Sequence, residues 1–386
     1  MSIADRWLLP DGVEEILPPE AAHLESVRRH LLDAFASWGY ELVVTPMVEY
    51  LESLLTGTGK DLDLKTFKVT DQVSGRMMGI RADMTPQVAR IDAHTLDREG
   101  IVRLCYAGTV LHAVADNMLA SRTPISVGAE LFGEGGSRAD LEIVSLMIES
   151  IQGEVPGRLH IELGDVGIFR DLMQSVGVSA DAEETLFELI QRKDSAELAA
   201  ATRELSLDPA IGARINVLPG LCGAADVLDR ARGIFAGDAG VIGRIDNLAE
   251  VSRGLQARFD ELDIYYDLSE LRGYNYHTGI VFAAYGSNGG RFAKGGRYDR
   301  VGEVFGRSRA ATGFDIDLKM LAASAPSAPG AGKRVVAPLN NGPDESERWA
   351  YIKRLREEGY IVVEGEDGLP SDFRLVYEAG EWKVSG

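Results

Sequence analysis

Residues Leu271–Gly279 read LRGYNYHTG and run directly into the apolar stretch Ile280–Tyr285 (IVFAAY). Shortly after it, Gly295–Asp299 reads GGRYD. The first stretch places an arginine, two tyrosines and a histidine on a glycine-interrupted turn, immediately before an apolar run of strand length. Such side chains stack on a small planar polar ligand and form hydrogen bonds with it. The pattern therefore predicts an amino-acid pocket at the start of a strand.

Length and charge restrict the class of protein. The chain has 386 residues, 60 of them acidic and 40 basic, and a formal net charge of −20. A chain of this length is expected to form one main domain and a smaller one. Because binding to nucleic acid depends on clustered Lys and Arg along the phosphates, the acidic balance argues against a nucleic-acid partner.

The first residues and the cysteines indicate the compartment. No basic segment followed by an apolar one opens the chain, so no secretory signal is expected. No apolar stretch approaches the length of a membrane span. The two cysteines and six histidines lack metal-ligand spacing, which favours a reduced cytoplasm and predicts neither a metal site nor a cofactor.

Local patterns predict an order of elements. Apolar residues at helical spacing follow Pro18-Pro19 as far as Gly39, and a strand pattern follows over 40–45. Further strands are expected at 67–71, 76–80, 103–111 and 125–133, with an acidic helix over 139–152. Residues from 165 to about 260 have helical spacing, which predicts an insertion within a sheet-based domain at 1–325. The Ala- and Pro-rich segment 322–332 is a linker pattern, and a small α/β domain is expected at 333–386.

Several of these stretches together resemble class II aminoacyl-tRNA synthetases. Residues 80–86 (IRADMTP), 105–108 (CYAG) and 128–130 (GAE), with the two stretches near 280, are similar in order and spacing to histidyl-tRNA synthetase. The helix ending at Gly39, followed by Thr45-Pro46, resembles motif 1, a dimer-forming element. This resemblance covers roughly residues 10–322. It implies an α+β fold: a mixed, mainly antiparallel sheet flanked by helices, a helical insertion and a small C-terminal α/β domain.

The phosphate side of the synthetase pattern is altered. Where an active synthetase has the arginine and glutamate of motif 2, this chain has His112 and Val114, and where motif 3 has its arginine, this chain has Met320. Asp315 and Asp317 add negative charge at the same place. Because preorganised cations supply most of the stabilisation in phosphate chemistry, adenylate formation is not expected.

A second family matches better. The stretches Arg81–Arg90 and Arg272–Tyr285 resemble the synthetase-like regulatory subunits of ATP phosphoribosyltransferase. That resemblance implies a non-catalytic protein of histidine biosynthesis that forms dimers or larger oligomers. It also implies assembly with a short catalytic subunit, activation of that subunit and feedback inhibition by L-histidine. A divergent histidyl-tRNA synthetase and a histidine sensor for another enzyme are the alternatives.

The resemblance also implies roles for individual residues. The implied histidine-binding residues are Asp83, Thr85, Glu130, Arg272, Tyr276 and His277. Asp83 and Glu130 are expected to hold the α-ammonium group, and Arg272 to face the α-carboxylate. Tyr276 and His277 are expected to line the imidazole side. Ser126 stands where synthetases have glutamine, so that contact is expected to be weaker or mediated by water.

The same residues also fit structural roles that involve no ligand. Asp83 is also a normal cap for the helix that follows it, and Glu130 fits a strand residue facing solvent. Tyr276 and His277 are common packing or turn residues, and His112 is an ordinary half-buried histidine in this interpretation. The glycines of Gly295–Asp299 by themselves indicate tight backbone packing and not phosphate binding.

Overall fold

A computed structural model of the chain describes residues 7–56, 60–115, 120–326, 332–339, 345–365 and 370–386. The chain divides into two compact units, Met1–Ala325 and Pro326–Gly386. Most of the linker expected at 322–332, residues 327–331, lies outside the described residues. No helix of the described ranges is long and apolar enough to cross a membrane.

The described residues of the first unit form twelve strands. They are β1 Glu41–Leu42, β2 Val48–Tyr50, β3 Phe67–Thr70, β4 Met77–Ile80, β5 Val102–Thr109, β6 Ile125–Phe132, β7 His160–Asp165, β8 Cys222–Gly223, β9 Asp263–Asp267, β10 Ile280–Tyr285, β11 Arg291–Arg297 and β12 Ala311–Asp317. Nine of them form one sheet in the order β1-β5-β6-β12-β11-β10-β7-β9-β8. Only the β1–β5 and β7–β9 pairs are parallel. The predicted mixed, mainly antiparallel sheet is confirmed.

Twelve α-helices lie in the described part of the same unit. They are α1 Glu20–Ser37, α2 Leu51–Leu55, α3 Lys60–Lys65, α4 Thr85–Arg90, α5 Ser137–Ile151, α6 Val166–Val176, α7 Ala180–Gln191, α8 Ser195–Glu204, α9 Pro209–Val217, α10 Asp226–Ile234, α11 Ala239–Arg258 and α12 Leu318–Ser324. A π-helical segment, Ile91–Leu96, continues α4. Helices α6–α11 occupy the stretch between β7 and β9, together with the two-residue strand β8.

One face of the large sheet is covered by helices. Helix α1 buries Val27, Leu31 and Phe35, which recur every fourth residue and so lie on one side of the helix. Helices α5 and α11 pack against each other over the same core. Because side chains alternate along a strand, every second residue of β6, β11 and β12 points to the opposite face. That opposite face carries the candidate site.

The structure differs from the sequence expectations at two strands. The strand expected at 40–45 forms ladder pairs only at β1, because the chain then leaves the sheet, where the Thr45 carbonyl and hydroxyl accept hydrogen bonds from Arg81 at 2.8 Å. Strand β7 was not expected, although it is an interior strand of the sheet, between β10 and β9. The hairpin expected around Ser74-Gly75 is present as antiparallel β3 and β4, with β2 as a third strand.

The second unit is a small α/β fold. Its strands are β13 Arg334–Ala337, β14 Ile361–Glu364, β15 Phe373–Glu378 and β16 Glu381–Ser385, and its helix is α13 Glu345–Glu357. The sheet order is β14-β13-β15-β16. Ile352 and Leu355 of the helix pack on Val335 and Leu375 of the sheet. The antiparallel strand β16, which the sequence did not indicate, forms the edge.

Candidate ligand-binding site

The open face of the sheet contains a cavity of about 360 Å³, in the range of small-molecule pockets. All six residues expected to bind a ligand line it: Asp83, Thr85, Glu130, Arg272, Tyr276 and His277. They come from the start of α4, from β6 and from the loop between β9 and β10. The structure therefore brings together side chains that are up to 194 residues apart in the chain.

Glu130 forms the closed end of this cavity, which we call the ligand cavity. Its side chain is almost fully buried, with 1% of the residue exposed. The Tyr106 hydroxyl donates to Oε1 at 3.1 Å, and the Tyr298 hydroxyl donates to Oε2. Burial raises the pKa of the Glu130 carboxyl to about 8, against the lowering effect of these hydrogen bonds. The solvent-facing interpretation of Glu130 is therefore wrong.

The two tyrosines were missed as site residues, although both lie in stretches that the sequence singled out. Tyr106 belongs to the CYAG stretch on β5, and Tyr298 to GGRYD after β11. Nothing local distinguishes a tyrosine that bonds a distant glutamate from one that packs in a core. The signal is the register, which pairs β5 with β6, β6 with β12 and β12 with β11 and so brings both rings to Glu130.

Glycines make room on the cavity floor. A Cβ on Gly313, which is paired with Glu130 across the ladder, would lie 1.6 Å from Oε2 of that glutamate. A Cβ on Gly296 would lie 2.7 Å from the Ile280 carbonyl oxygen and 2.8 Å from Nδ1 of His277. These glycines allow close approach of side chains and backbone, in agreement with tight packing and not with a phosphate-binding turn.

The loop Leu271–Gly279 supplies the aromatic wall. The Tyr276 ring stacks on Tyr298 at 5.1 Å between centroids, and His277 meets Tyr276 edge-on at 5.3 Å. Within the described part of the chain, the buried Tyr276 hydroxyl and His277 Nδ1 have no hydrogen-bond partner. Burial lowers the pKa of His277 to about 4, so its imidazole is neutral near pH 7.

Asp83 and Thr85 line the cavity from the start of α4. Asp83 Oδ1 accepts the backbone N–H of Thr85 at 3.0 Å, so Asp83 does hold the first turn of α4 while it lines the cavity. The Thr85 hydroxyl lies 3.3 Å from the Tyr106 hydroxyl. Asp83 thus bonds the first residue of α4 from the position before the N-cap, which is Met84, and also lines the cavity.

Arg272 is already paired with other side chains. Its guanidinium contacts Glu162 and lies 2.6 Å from Glu270 Oε2, and Nη1 donates to the Tyr285 hydroxyl at 3.1 Å. Glu270 and Tyr285 raise the pKa of the guanidinium against the effect of burial. The expectation that Arg272 faces a ligand carboxylate stays a prediction, and two protein carboxylates compete with it.

Two arginines from the helical insertion hold the back of the same loop. Arg170 of α6 donates through Nη2 to the carbonyl oxygens of Tyr274 at 2.8 Å and His277 at 3.0 Å. Arg244 of α11 donates through Nη1 to the Thr278 carbonyl at 3.1 Å. The sequence patterns did not indicate these contacts, because backbone carbonyls carry no sequence signal.

A second cavity, of about 270 Å³, lies beside the ligand cavity and shares five lining residues with it: Lys65, Asp83, Arg291, Lys294 and Asp315. His112, Ser126 and Met320 line only the second cavity. Nε2 of the half-buried His112 lies 3.0 Å from the Ala82 carbonyl oxygen, and Ser126 donates to Asp315 at 3.4 Å. Lys319 points elsewhere, towards Glu14 at 3.1 Å.

The motif positions of a synthetase thus keep no arginine on the side where ATP would bind. Val114 is 61% exposed and Met320 42% exposed. Asp317 caps α12 by accepting the N–H groups of Lys319 and Met320. Neither an apolar side chain nor a capping carboxylate replaces a cation that grips phosphate.

Comparisons with known proteins identify the family of this chain. A family model described as histidyl-tRNA synthetase matches residues 12–321. The ATP phosphoribosyltransferase regulatory subunit of Ectopseudomonas mendocina is 49% identical over 397 residues, covering 100% of this chain and 99% of that protein. The chain belongs to the family of ATP phosphoribosyltransferase regulatory subunits.

Solved structures of related proteins have the same fold. A regulatory subunit/histidyl-tRNA synthetase from Bacillus halodurans matches with a TM-score of 0.82 at 25% identity, covering 96% of both chains. An ATP phosphoribosyl transferase (HisG:HisZ) complex from Thermotoga maritima contains a chain that matches with a TM-score of 0.60 at 18% identity, covering 78% of this chain and 98% of that one. This regulatory subunit family therefore has the class II synthetase-like fold that the sequence predicted.

Proposed function

We propose that this chain is a non-catalytic subunit that joins and activates a short catalytic ATP phosphoribosyltransferase in the cytoplasm, and that L-histidine in the ligand cavity inhibits the assembly. The family supports the regulatory role. The Thermotoga maritima protein is by name a complex of two subunits, which supports a catalytic partner. The free cysteines, Cys105 and Cys222, fit a reducing compartment.

The observation that carries the histidine proposal is the ligand cavity itself. A buried carboxylate stands at its closed end, an aromatic wall at its side, and cations further along the floor. The lining has five carboxylates and four cations, so a zwitterion suits it better than a strongly charged ligand. Glu130 with Asp83 would receive the α-ammonium group through charge-assisted hydrogen bonds.

Two polar atoms support an imidazole as the side chain of the ligand. A buried polar atom without a partner is uncommon and needs an explanation. The Tyr276 hydroxyl and His277 Nδ1 are such atoms among the described residues, and both side chains line the ligand cavity. An imidazole offers one N–H donor and one nitrogen acceptor, which can satisfy these two atoms together.

Self-association is part of the proposal. A row of apolar side chains is exposed along and after the edge strand β1: Leu42, Val44, Met47 and Val48, with Val44 88% exposed. Exposed apolar patches of this kind mark protein interfaces, and an uncovered edge strand is open to pairing. A second copy of the chain, as the motif 1 resemblance implies, would cover it.

The decisive experiment reconstitutes the enzyme from separate subunits. The short catalytic subunit from the same organism is assayed with ATP and phosphoribosyl pyrophosphate, alone and with this chain, and then with L-histidine. Activation by the chain and inhibition by histidine only in its presence are the expected results. Absence of activation would refute the regulatory role, and histidine inhibition of the catalytic subunit alone would refute the proposed sensor.

A parallel measurement tests the synthetase alternative. Pyrophosphate exchange into ATP that depends on histidine requires an adenylate-forming site. The purified chain is expected to show none, because His112, Val114 and Met320 occupy the phosphate-binding positions. Exchange above background would revive the synthetase interpretation.

A further inference from the structure

The cavity floor carries two cations for which the described residues provide no partner. Lys294 and Arg291 of β11 line both the ligand cavity and the second cavity. Among the described residues, neither side chain has a carboxylate within ion-pair distance or a hydrogen-bond partner. By contrast, Arg272 is held by two carboxylates and a tyrosine. A ligand carboxylate therefore meets less competition on β11 than at Arg272.

An irregularity of the strand puts both cations on the open face. Alternation along a regular strand would send residues 291 and 294 to opposite faces. The register shifts between Ala284 and Tyr285, so that Lys294 pairs with Ala283 while Arg291 pairs with Tyr285. Phe292 is the extra residue and is buried. Such a bulge re-aims side chains next to binding sites.

Of the two, Lys294 lies nearer to Glu130. Gly313 of β12 pairs with Glu130 on one side and with Gly296 on the other, and Lys294 is two residues from Gly296. From the strand spacing and rise, the Cα atoms of Lys294 and Glu130 lie roughly 12 Å apart. Two side chains that reach towards each other across this gap leave room for a small zwitterion.

The charge of Lys294 acts on the groups around that gap. Burial raises the pKa of Asp315, the residue opposite Lys294 in the ladder, and the lysine charge opposes this rise. The same charge adds to the effect of burial in lowering the pKa of His277. Asp315 accepts a hydrogen bond from Ser126 at 3.4 Å and forms no ion pair with the ammonium group.

We propose that Lys294, and not Arg272, binds the α-carboxylate of the amino acid in the ligand cavity and so makes the site specific for an amino acid over its decarboxylated or reduced analogue. This inference rests on the proposed function and deepens it. Glu130 then binds the α-ammonium group and Lys294 binds the α-carboxylate. The loop Leu271–Gly279 contacts the side chain of the ligand. Arg272, with Glu162 and Glu270, closes the outer end of the cavity.

The test compares two ligands on matched variants. Calorimetry measures L-histidine and L-histidinol, which has a hydroxymethyl group in place of the carboxylate, on the full-length wild type, Lys294→Met and Lys294→Arg. Loss of a charge-assisted hydrogen bond should weaken histidine binding to Lys294→Met by about tenfold or more and change histidinol binding little. Lys294→Arg should keep the preference for histidine.

Controls separate this inference from the proposed function. Arg291→Met removes the other unpaired cation and should leave the ratio of the two affinities unchanged. Equal weakening of both ligands in Lys294→Met, or loss of the preference in Arg291→Met alone, would overturn the role of Lys294 while histidine binding itself stands. If the wild type binds no histidine, alone or with the catalytic subunit, the proposed function fails together with this inference.

Lys294 is exposed, so its substitution is expected to preserve the melting temperature, which is measured on each variant.

Discussion

The ionisation of Glu130 provides a quantitative test of the ligand cavity. Burial raises the pKa of this carboxyl to about 8, and the negative charge of Asp83 adds to the rise. In the empty site at pH 7, only about one glutamate in ten is then ionised. An ammonium group placed beside it favours the charged form, so binding should expel close to one proton. The affinity for histidine should therefore increase about fivefold from pH 7 to pH 8, because the ionised fraction of Glu130 rises from about one tenth to about one half.

The measurement is calorimetry in two buffers of different ionisation enthalpy at each pH. The difference between the observed enthalpies gives the number of protons released. Histidine loses most of its imidazole proton below pH 7, so the window from pH 7 to 8 isolates the glutamate. Glu130→Gln serves as the control, because its remaining proton exchange belongs to the ligand and to other groups. A flat affinity across this window, or net proton uptake, would refute the role of Glu130.

Three further substitutions test other parts of the molecule. Gly313→Ala would place a methyl carbon 1.6 Å from the buried carboxylate, and the forced shift should weaken histidine binding by about tenfold or more in calorimetry. Arg170→Gln removes the donors that hold two carbonyls of the ligand loop; we expect histidine binding weaker by about tenfold and faster hydrogen exchange in that loop. Val44→Glu places a charge on the exposed apolar row and should raise the dissociation constant of the oligomer by about tenfold or more in mass photometry.

Each of the three has a matched control on the same chain. Gly243→Ala adds a methyl group where no atom lies within 4 Å and should not affect binding. Arg230→Gln removes an exposed arginine of α10 that is 3.6 Å from Asp226, and loop exchange should not change. Val73→Glu alters a valine that is 96% exposed on the β3–β4 turn. If a control behaves like its test variant, the corresponding contact does not explain the effect.

The sequence predicted the fold well where local patterns and ordered motifs coincide. Helix α1 and strands β5 and β6 have clear spacing, and their order along the chain matches the family. Strand β7 was missed although His160–Leu163 alternates between polar and apolar residues and follows the turn pair Pro156-Gly157. Strand β1 was expected to be longer. A run of strand-forming residues does not reveal that the chain leaves the ladder, after which the Thr45 carbonyl accepts a hydrogen bond from Arg81.

The candidate site, like the fold, could be predicted from the sequence only in part. The six expected residues belong to recognisable stretches, and the structure places them around one cavity. The tyrosines on Glu130 and the arginines behind the loop depend on strand register and on an insertion, which no local pattern encodes. Lys294 was not predicted as a site residue, because no strand was predicted at 291–297 and the bulge at Phe292, which brings Arg291 and Lys294 to one face, is visible only in the register. The pairing of Arg272 with Glu162 and Glu270 is likewise a tertiary contact.

The contact between Gly313 and Glu130 has a consequence for how these proteins diverge. Because a Cβ at position 313 would lie 1.6 Å from Oε2 of Glu130 and force that side chain to shift, the order in which the two positions change matters. A lineage that abandons the ligand must first shorten the acid, and only then can the glycine be replaced. A lineage that has filled position 313 cannot regain the acid by one mutation. Replacement of Gly313 is therefore hard to reverse once the acid is gone, and a larger side chain at this position would mark relatives that have lost this pocket.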